Sequence, residues 1–328
     1  DNRFTTYVPG QQSTVRPTAP VGQLFYGDPG VERGVIPVSW RHFSPRVGIV
    51  WDPLGDGKTA IRAAGGLFYG SISGNEWNTS TNYQPWSTRL TFANGVTKTT
   101  ADGTPMGASL RNPYNNYPGG TPFPYQGTYT AGGSLFGIAQ DFVWPHAWQT
   151  NVGIQRQLGT LFTVGAAYVG TFHRNLPFGR DVNYPVVTPT ATNSGANILS
   201  RRPDPKVGAV LLLDSDQYSD YNGLQVTFNM RRWQHVSFNG FYTLSKTMSS
   251  AQLHNNTTQG GAQNFTRLED EYGRADTDQR HVFSLNLNWD LDYYAGDNRV
   301  LRGILNGWTL SPIIKVRSGL PFTVTNNN

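Results

Sequence analysis

The segment RHVFSLNLNWDLDYY, residues 280–294, alternates between apolar and polar positions with a period of two. This period predicts a β-strand with one apolar and one polar face. In a soluble sheet the apolar face would meet a protein core. In an outer-membrane barrel it would meet lipid, and the polar face would line a wet lumen. The arrangement of the remaining strands and loops therefore bears directly on function.

Three further stretches show similar runs, and turn signals divide each stretch into two strands. The predicted strand pairs are 44–53 with 58–70, 146–158 with 161–172, 221–231 with 236–246, and 280–294 with 306–319. The pair Asp56-Gly57 is a strong hairpin signal. Pro312 interrupts the last strand, which predicts a bulge or an edge there because proline cannot donate to a ladder.

The connections between these strands are of two kinds. Short connections join the members of each pair, and three long loops, 71–145, 173–220 and 247–279, separate the pairs. A compact soluble domain seldom keeps three loops this long, whereas outer-membrane barrels combine short periplasmic turns with long extracellular loops. This asymmetry predicts an all-β fold over residues 1–328: a segment of about eight strands of an antiparallel transmembrane β-barrel. A soluble secreted β-sandwich with decorated loops is the alternative.

Composition adds to this interpretation. Charged residues are 14% of the chain, against about 25% in ordinary soluble domains. Trp and Tyr residues lie near many strand ends, where the aromatic girdles of membrane barrels occur. The chain has no cysteine and no run of about 18 apolar residues that would predict a membrane-spanning helix. The basic residues are scattered, which argues against a nucleic-acid partner.

Four segments, in this order along the chain, resemble the barrel of TonB-dependent outer-membrane receptors. They are FSPRVGIVWDPLGDGKTAIRAAGGLFYG, TNVGIQRQLGTLFTVGAAYVGTFHRNLP, SDYNGLQVTFNMRRWQHVSFNGFYTLSKTMSS, and EYGRADTDQRHVFSLNLNWDL followed by LNGWTLSPIIKVRSGLPFTVTN. The group that they most resemble is the Oar-like one, in which a carboxypeptidase-regulatory-like domain precedes the plug. The resemblance runs from about residue 35 to the end of the chain.

This resemblance implies a large barrel with an N-terminal plug and a segment that engages TonB in a Gram-negative outer membrane. The matching motifs cover barrel strands alone, so we expect the chain to be a middle-to-late part of a barrel, either within a longer receptor or as a natural fragment. A barrel of about eight strands that closes by itself is the alternative. The partners that follow are outer-membrane lipid, a nutrient ligand, and the TonB complex through other parts of the receptor. No cofactor is expected.

One acidic cluster is a candidate cation site. Calcium takes several oxygen ligands, but the cluster lacks the spacing of an EF-hand loop, and Arg267, Arg274 and Arg280 lie beside it. Ion pairs that order the start of the following strand are the alternative interpretation, and we favour them. The acidic residues are Glu269, Asp270, Glu271, Asp276 and Asp278.

No catalytic motif accompanies this pattern, and we expect no enzyme activity. The six His residues do not pair at metal-ligand spacing, and neither a nucleophile elbow nor a phosphate-binding loop is present. The long loops instead carry aromatic side chains that could contact a ligand or a partner, because rings stack and neighbouring amides form paired hydrogen bonds. These candidates are Trp77, Trp86, Tyr114, Tyr117, Tyr125 and Tyr129.

The leading hypothesis is a TonB-dependent receptor barrel for energised uptake of a nutrient, with the external loops making the first contact. The second is a plugless surface or assembly component, in which strand edges and aromatic loops join copies of the chain. The soluble secreted β-sandwich is the third.

Overall fold

The computed structural model describes residues 4–36, 39–74, 131–186, 195–250 and 264–322, together with positions 79, 82–86, 98–99, 105–106, 129 and 262. Within this part of the chain, no helix is long and apolar enough to cross a membrane. Short helices in the described ranges include α1 (Gly195–Ile198) and α2 (Arg299–Leu305). Single 3₁₀ turns cover Leu199–Arg201 and Leu268–Glu271.

Most strands join one open sheet in which sequential neighbours pair antiparallel. Its long strands are β3 (Arg46–Trp51), β4 (Thr59–Tyr69), β8 (His146–Leu158), β9 (Phe162–Asp181), β10 (Val210–Trp233), β11 (Val236–Ser249) and β13 (His281–Leu291), followed by the pieces β14 (Trp308–Leu310) and β15 (Ile313–Arg317), which both pair with β13. The shorter strands are β1 (Thr5–Tyr7), β2 (Gln23–Phe25), β5 (Lys98–Thr99), β6 (Pro105–Met106), β7 (Leu135–Ile138) and β12 (Gly273–Arg274).

The register places side chains of opposite polarity on the two faces of the sheet. Residues directly opposite one another in neighbouring strands share a face, and the next residue along each strand lies on the other face. One row across five strands is polar: Gln157, Thr163, Asn229, Asn239 and Asn286. The adjacent row is apolar: Leu158, Phe162, Met230, Phe238 and Leu287. The all-β antiparallel prediction is confirmed.

The connections follow the predicted asymmetry. Short turns at 52–58, 159–161 and 234–235 and the helical connection 292–307 lie at one end of the sheet, and the long connections lie at the other. Asp52 organises the first turn, because its carboxylate accepts hydrogen bonds from the backbone N–H groups of Leu54, Gly55 and Gly57. In outer-membrane barrels the short turns face the periplasm and the long loops face outward.

The main hydrophobic core lies beyond the long-loop end of the sheet. There β1 pairs with β2, and β7 pairs parallel with the start of β10. We call this unit, residues 4–36, 135–144 and 207–213, the loop body. A side chain at Gly137 would place its Cβ 3.0 Å from the backbone of Thr6, so glycine permits close contact between β7 and β1. The core residues are Leu24, Val31, Val35, Ile36, Ile72, Phe136, Ile138, Phe142, Leu211 and Leu213.

The expected loop 173–220 is wrong in its extent. Strand β9 continues to Asp181 and β10 begins at Val210, so the connection between them is residues 182–209. The alternation of apolar and polar residues breaks here for two reasons. Val210, Leu211 and Leu213 are all buried against other parts of the chain, and register shifts between Asp214 and Ser219 interrupt the period.

Two other boundaries differ from the sequence prediction. The expected loop 71–145 contains β7, which is buried throughout and belongs to the loop body. The predicted strand 306–319 is divided at Pro312 into β14 and β15, as expected for a proline within a ladder. The connection before that strand, expected as a short connection without a helix, contains helix α2, whose first backbone N–H groups are capped by Asn298.

Candidate functional site

The polar face of the sheet is the wall of a lumen. Its side chains are mostly amides, hydroxyls and small residues, and the bases Arg46, Arg62, Lys315 and Arg317 project from the same face, as their pairing partners show. Arg62 Nη1 donates to Gln155 Oε1 at 2.9 Å across two strands. Such a wall suits a polar solute or a polar protein surface, because its amide, hydroxyl and charged side chains can exchange hydrogen bonds with water or a ligand.

A shallow groove of about 250 Å³ lies in this wall near its outer end. The guanidinium carbon of Arg46 stands 4.4 Å from the centroid of the Phe68 ring, and Gln149 and Thr171 line the same groove. Gly66 makes room for the pair, since a Cβ there would lie 2.9 Å from Arg46 Cγ and 3.2 Å from the Phe68 ring. No sequence motif indicates this group, because its members come from four different strands.

The apolar face carries two belts of aromatic side chains. Toward the loops, Tyr168 Oη donates to Asn222 Oδ1 at 2.7 Å. Near the short turns, Trp289 Nε1 donates to Tyr293 Oη at 2.8 Å, and Trp233 and Trp308 are also exposed. Large exposed apolar side chains between the belts include Val152, Ile154, Val164 and Leu224. Amphipathic rings at both edges of an apolar band mark the two interfaces of a bilayer.

Buried ion pairs and hydrogen bonds hold the connection 182–209 against the strand extensions. Asp181 pairs with Arg202 at 2.7 Å and accepts a hydrogen bond from the backbone N–H of Val210. The side-chain nitrogen of Asn183 donates to the carbonyls of Asp204 and Gly208, both at 2.9 Å. These contacts satisfy backbone groups that would otherwise be buried without a partner. They fix residues 202–208 against the ends of β9 and β10.

The loop body is organised by a second carboxylate, that of Asp28. It accepts hydrogen bonds from the hydroxyls of Ser13 and Thr14 and from the backbone N–H groups of Thr14, Val15 and Phe25. Burial raises the pKa of Asp28, but the hydrogen bonds more than offset this effect and lower the pKa to about 2. Asp28 therefore joins the first turn of the loop body to β2 as an ionised group.

The structure does not bring the candidate cation cluster together around one point. Asp278 is 0% exposed in its side chain, pairs with Arg274 at 2.7 Å and accepts a hydrogen bond from the backbone N–H of Thr247 at 2.7 Å. Glu269 and Asp270 instead face Arg267. Across the described ranges, no group of three or more His, Asp or Glu side chains is placed to hold a metal ion.

Two of the six candidate loop aromatics lie in the described residues, and both have structural neighbours. Trp86 packs edge-on against Phe25 at 6.0 Å, and the guanidinium of Arg16 stands 4.6 Å from its ring. Tyr129 packs against the small apolar cluster of Leu135, Val207 and Val210. The other four candidates lie outside the described residues: Trp77, Tyr114, Tyr117 and Tyr125.

Comparison with known families agrees with this architecture. The family model described as the outer membrane beta barrel domain matches residues 1–328. The chain belongs to this family. Its place is the outer membrane of a Gram-negative bacterium, where the apolar face of the sheet meets lipid. The soluble β-sandwich hypothesis was wrong: the long strands form one sheet whose apolar face remains exposed, with no second sheet packed on it among the described residues.

Solved structures show a similar but distant arrangement of strands. The outer membrane transporter YddB from Escherichia coli is 13% identical with a TM-score of 0.44, over 75% of this chain and 26% of the transporter. The FrpB iron transporter from Neisseria meningitidis is 11% identical with a TM-score of 0.39, over 78% of this chain and 25% of FrpB. The alcaligin outer membrane receptor FauA from Bordetella pertussis is 12% identical with a TM-score of 0.35, over 84% of this chain and 29% of FauA.

The chain thus spans about a quarter of the length of these barrels. No curated protein matches the sequence.

Proposed function

We propose that this chain forms part of the barrel wall of an outer-membrane receptor that imports a nutrient in a TonB-dependent manner. The Oar-like motifs of the sequence support this assignment. Nutrient uptake and its energisation through TonB are both part of what we propose. The role requires no catalytic group in the barrel. TonB would act through other parts of the receptor, such as the plug that the resemblance implies.

One observation carries the proposal: the strands that form the polar wall continue outward and hold a packed loop body. Strand β9 runs from the short turn at 159–161 up to Asp181, and β10 runs from Val210 down to the short turn at 234–235. The core of the loop body includes Leu211 and Leu213 of β10 itself. A rigid external structure continuous with a polar lumen suits a receptor that first captures a solute and then passes it inward.

The ligand would meet the external loops before it meets the wall. We propose that Trp77, Tyr114, Tyr117 and Tyr125 contribute to that first contact, because exposed rings and neighbouring amides recognise sugars and peptides. Trp86 and Tyr129 would support the loop body from within, given their packing against Phe25 and Leu135.

Uptake by cells tests this proposal. The gene for the full-length receptor would be deleted from its own bacterium, and uptake of ferric siderophores, oligosaccharides and peptides would be compared with the parent. We expect uptake of one class to fall at least about tenfold, and dissipation of the proton gradient to abolish that difference. Complementation with Asn151→Trp, which places a bulky side chain on the polar wall, should restore less uptake than complementation with the lipid-facing Val152→Trp.

Unchanged uptake of every class would contradict the proposal. If deletion instead altered surface assemblies or cell adhesion, the hypothesis of a structural surface component would replace it. The pair of variants separates the two outcomes, because a structural role has no use for an open lumen.

A further inference from the structure

Helix α2 lies in the connection between β13 and β14 at the periplasmic end of the sheet. Its apolar residues are Val300, Leu301, Ile304 and Leu305, and at about 100° per residue they share one face. Arg299 and Arg302 lie on the opposite face. No residue of the helix is buried, and Val300 and Ile304 are 69% and 59% exposed. A water-filled periplasm offers nothing to cover this apolar face.

The helix sits on the lipid-facing side of the barrel. Trp308 lies directly opposite Leu291 in the register, and Leu291 belongs to the apolar face of β13. The indole Nε1 of Trp308 donates to the backbone carbonyl of Ile304 at 2.7 Å. The last turn of α2 therefore touches a side chain of the inner aromatic belt, and its apolar face continues that of the barrel.

The connection is held in this place by hydrogen bonds at both ends. Asn298 Oδ1 accepts from the backbone N–H groups of Val300 and Leu301. Asn306 exchanges two hydrogen bonds with the backbone of Tyr294, at 2.9 and 3.0 Å, and Asp292 accepts from the backbone N–H of Gly307. The position of the helix is thus a fixed feature of the fold.

The charges of the helix fit a lipid headgroup. Arg302 Nη2 donates to the carbonyl of Gly296. Neither Arg299 nor Arg302 pairs with a carboxylate in the described part of the chain. Guanidinium groups bind phosphate through paired hydrogen bonds. A basic face above an apolar face is the pattern of helices that lie in the plane of a bilayer interface.

We propose that α2 is an interfacial helix that lies in the periplasmic leaflet of the outer membrane and binds its phospholipids. Val300, Leu301, Ile304 and Leu305 rest on the acyl chains beside Trp308. Arg299 and Arg302 bind phosphate groups of the same leaflet. The helix then anchors the periplasmic rim of the barrel, and this role does not depend on what the receptor imports.

Single-cysteine labelling tests the proposal, because residues 1–328 contain no cysteine and any cysteine elsewhere in the receptor would first be replaced by serine. Full-length receptor with Ile304→Cys or Arg302→Cys would be spin-labelled and placed in vesicles of phosphatidylethanolamine and phosphatidylglycerol. Leu285→Cys on the apolar face and Asn286→Cys on the polar face serve as matched controls. Collisions of each label with oxygen, which enriches in lipid, and with a water-soluble nickel chelate would be measured by electron paramagnetic resonance.

We expect the label at Ile304 to behave like that at Leu285, open to oxygen and shielded from nickel, and the label at Arg302 to meet nickel. If the nickel chelate reached the label at Ile304 as freely as the label at Asn286, the proposal would be overturned. So would a label at Ile304 shielded from both reagents, because protein rather than lipid would then cover the helix. Val300→Cys provides a second position, and the heat-dependent gel mobility of each variant verifies that the barrel is folded.

The phosphate contact has its own test. Arg299→Gln should lower the retention of phosphatidylglycerol by the purified receptor several-fold, as measured by native mass spectrometry. Lys58→Gln removes the same charge from a different turn of the same rim and should leave retention unchanged. Equal retention by the two variants would contradict the assignment of phosphate to Arg299.

Discussion

The carboxylate of Asp28 accepts a hydrogen bond of 2.7 Å from the hydroxyl of Ser13, inside the loop body. Three backbone N–H groups, of Thr14, Val15 and Phe25, also point at this carboxylate. A single buried side chain therefore closes the turn at 13–15 onto β2. The fold of the extracellular unit depends on this anion in much the same way that a helix depends on its cap.

Replacing Asp28 by Asn should loosen the loop body without affecting the barrel. The asparagine amide has the shape of the carboxylate but only one acceptor oxygen. Its NH₂ group would face hydroxyl and backbone N–H groups that now donate to Asp28. We expect a loss of about 2 kcal/mol in local stability. Hydrogen exchange followed by mass spectrometry should show faster exchange over residues 4–36 and unchanged exchange in β11 and β13. Equal exchange throughout would mean that the apolar core alone holds the loop body.

The stability of the loop body should depend on pH in a defined window. The pKa of Asp28 is about 2 in the fold, against about 3.9 in an unfolded chain. Its contribution is therefore complete above about pH 4 and is lost as the pH falls through about 2. Hydrogen exchange of residues 4–36 in the Asp28→Asn variant should lack this component. A parent protein with no acid-dependent change in that window would contradict the prediction.

The two faces of β13 should respond differently to the same charge. Leu287 and Asn286 are neighbours on opposite faces, opposite Phe238 and Asn239 respectively. Leu287→Arg places a guanidinium in lipid and should cost about 2 to 4 kcal/mol if the position is near the bilayer midplane. Asn286→Arg enters the polar lumen and should cost much less. Denaturant unfolding of the full-length receptor in lipid vesicles measures both, and similar costs would contradict a lipid-facing apolar surface.

Calcium should not stabilise this protein through its acidic cluster. Asp278 is already paired with Arg274 and bound to Thr247, and Glu269 and Asp270 face Arg267. Millimolar calcium should leave the unfolding temperature unchanged. Asp278→Asn should lower stability by about 1 to 3 kcal/mol, because it leaves Arg274 without its buried partner. A calcium-dependent rise in unfolding temperature that disappears in Asp278→Asn would contradict this prediction and support a cation site at the cluster.

At Gly240, on the lipid-facing surface, the absence of a side chain makes room for an aromatic ring of the neighbouring strand. Phe228 lies directly opposite Gly240, and its ring covers the place where a Cβ would stand. Gly240→Ala should cost about 1 to 3 kcal/mol through overpacking. Gly303→Ala in helix α2, where a Cβ meets nothing within 4 Å, should instead gain about 1 kcal/mol from helix propensity. Unfolding in denaturant compares the two, and an equal effect would show that the ring simply moves aside.

Strand prediction was accurate where the environment changes sharply from one side of the sheet to the other. Between β10 and β11, Val226 lies opposite Tyr242 on the lipid face, and Gln225 lies opposite Thr243 on the lumen face. The candidate functional surface could be predicted from the sequence only in part. The Arg46–Phe68 pair and its Gly66 neighbour come from two strands, and no local pattern indicates that they meet.

By itself, then, the sequence determined the all-β architecture, the existence of seven long strands and the asymmetry between short and long connections. Each follows from local period and turn chemistry, which a bilayer enforces on every strand. Only the tertiary structure decided that residues 4–36 fold with β7 and the start of β10, and that α2 lies beside Trp308. The contacts of the loop body join residues that are far apart in the chain. At the start of β10, side chains on both faces of the strand are buried. The sequence there has no alternation of apolar and polar residues that would predict these contacts.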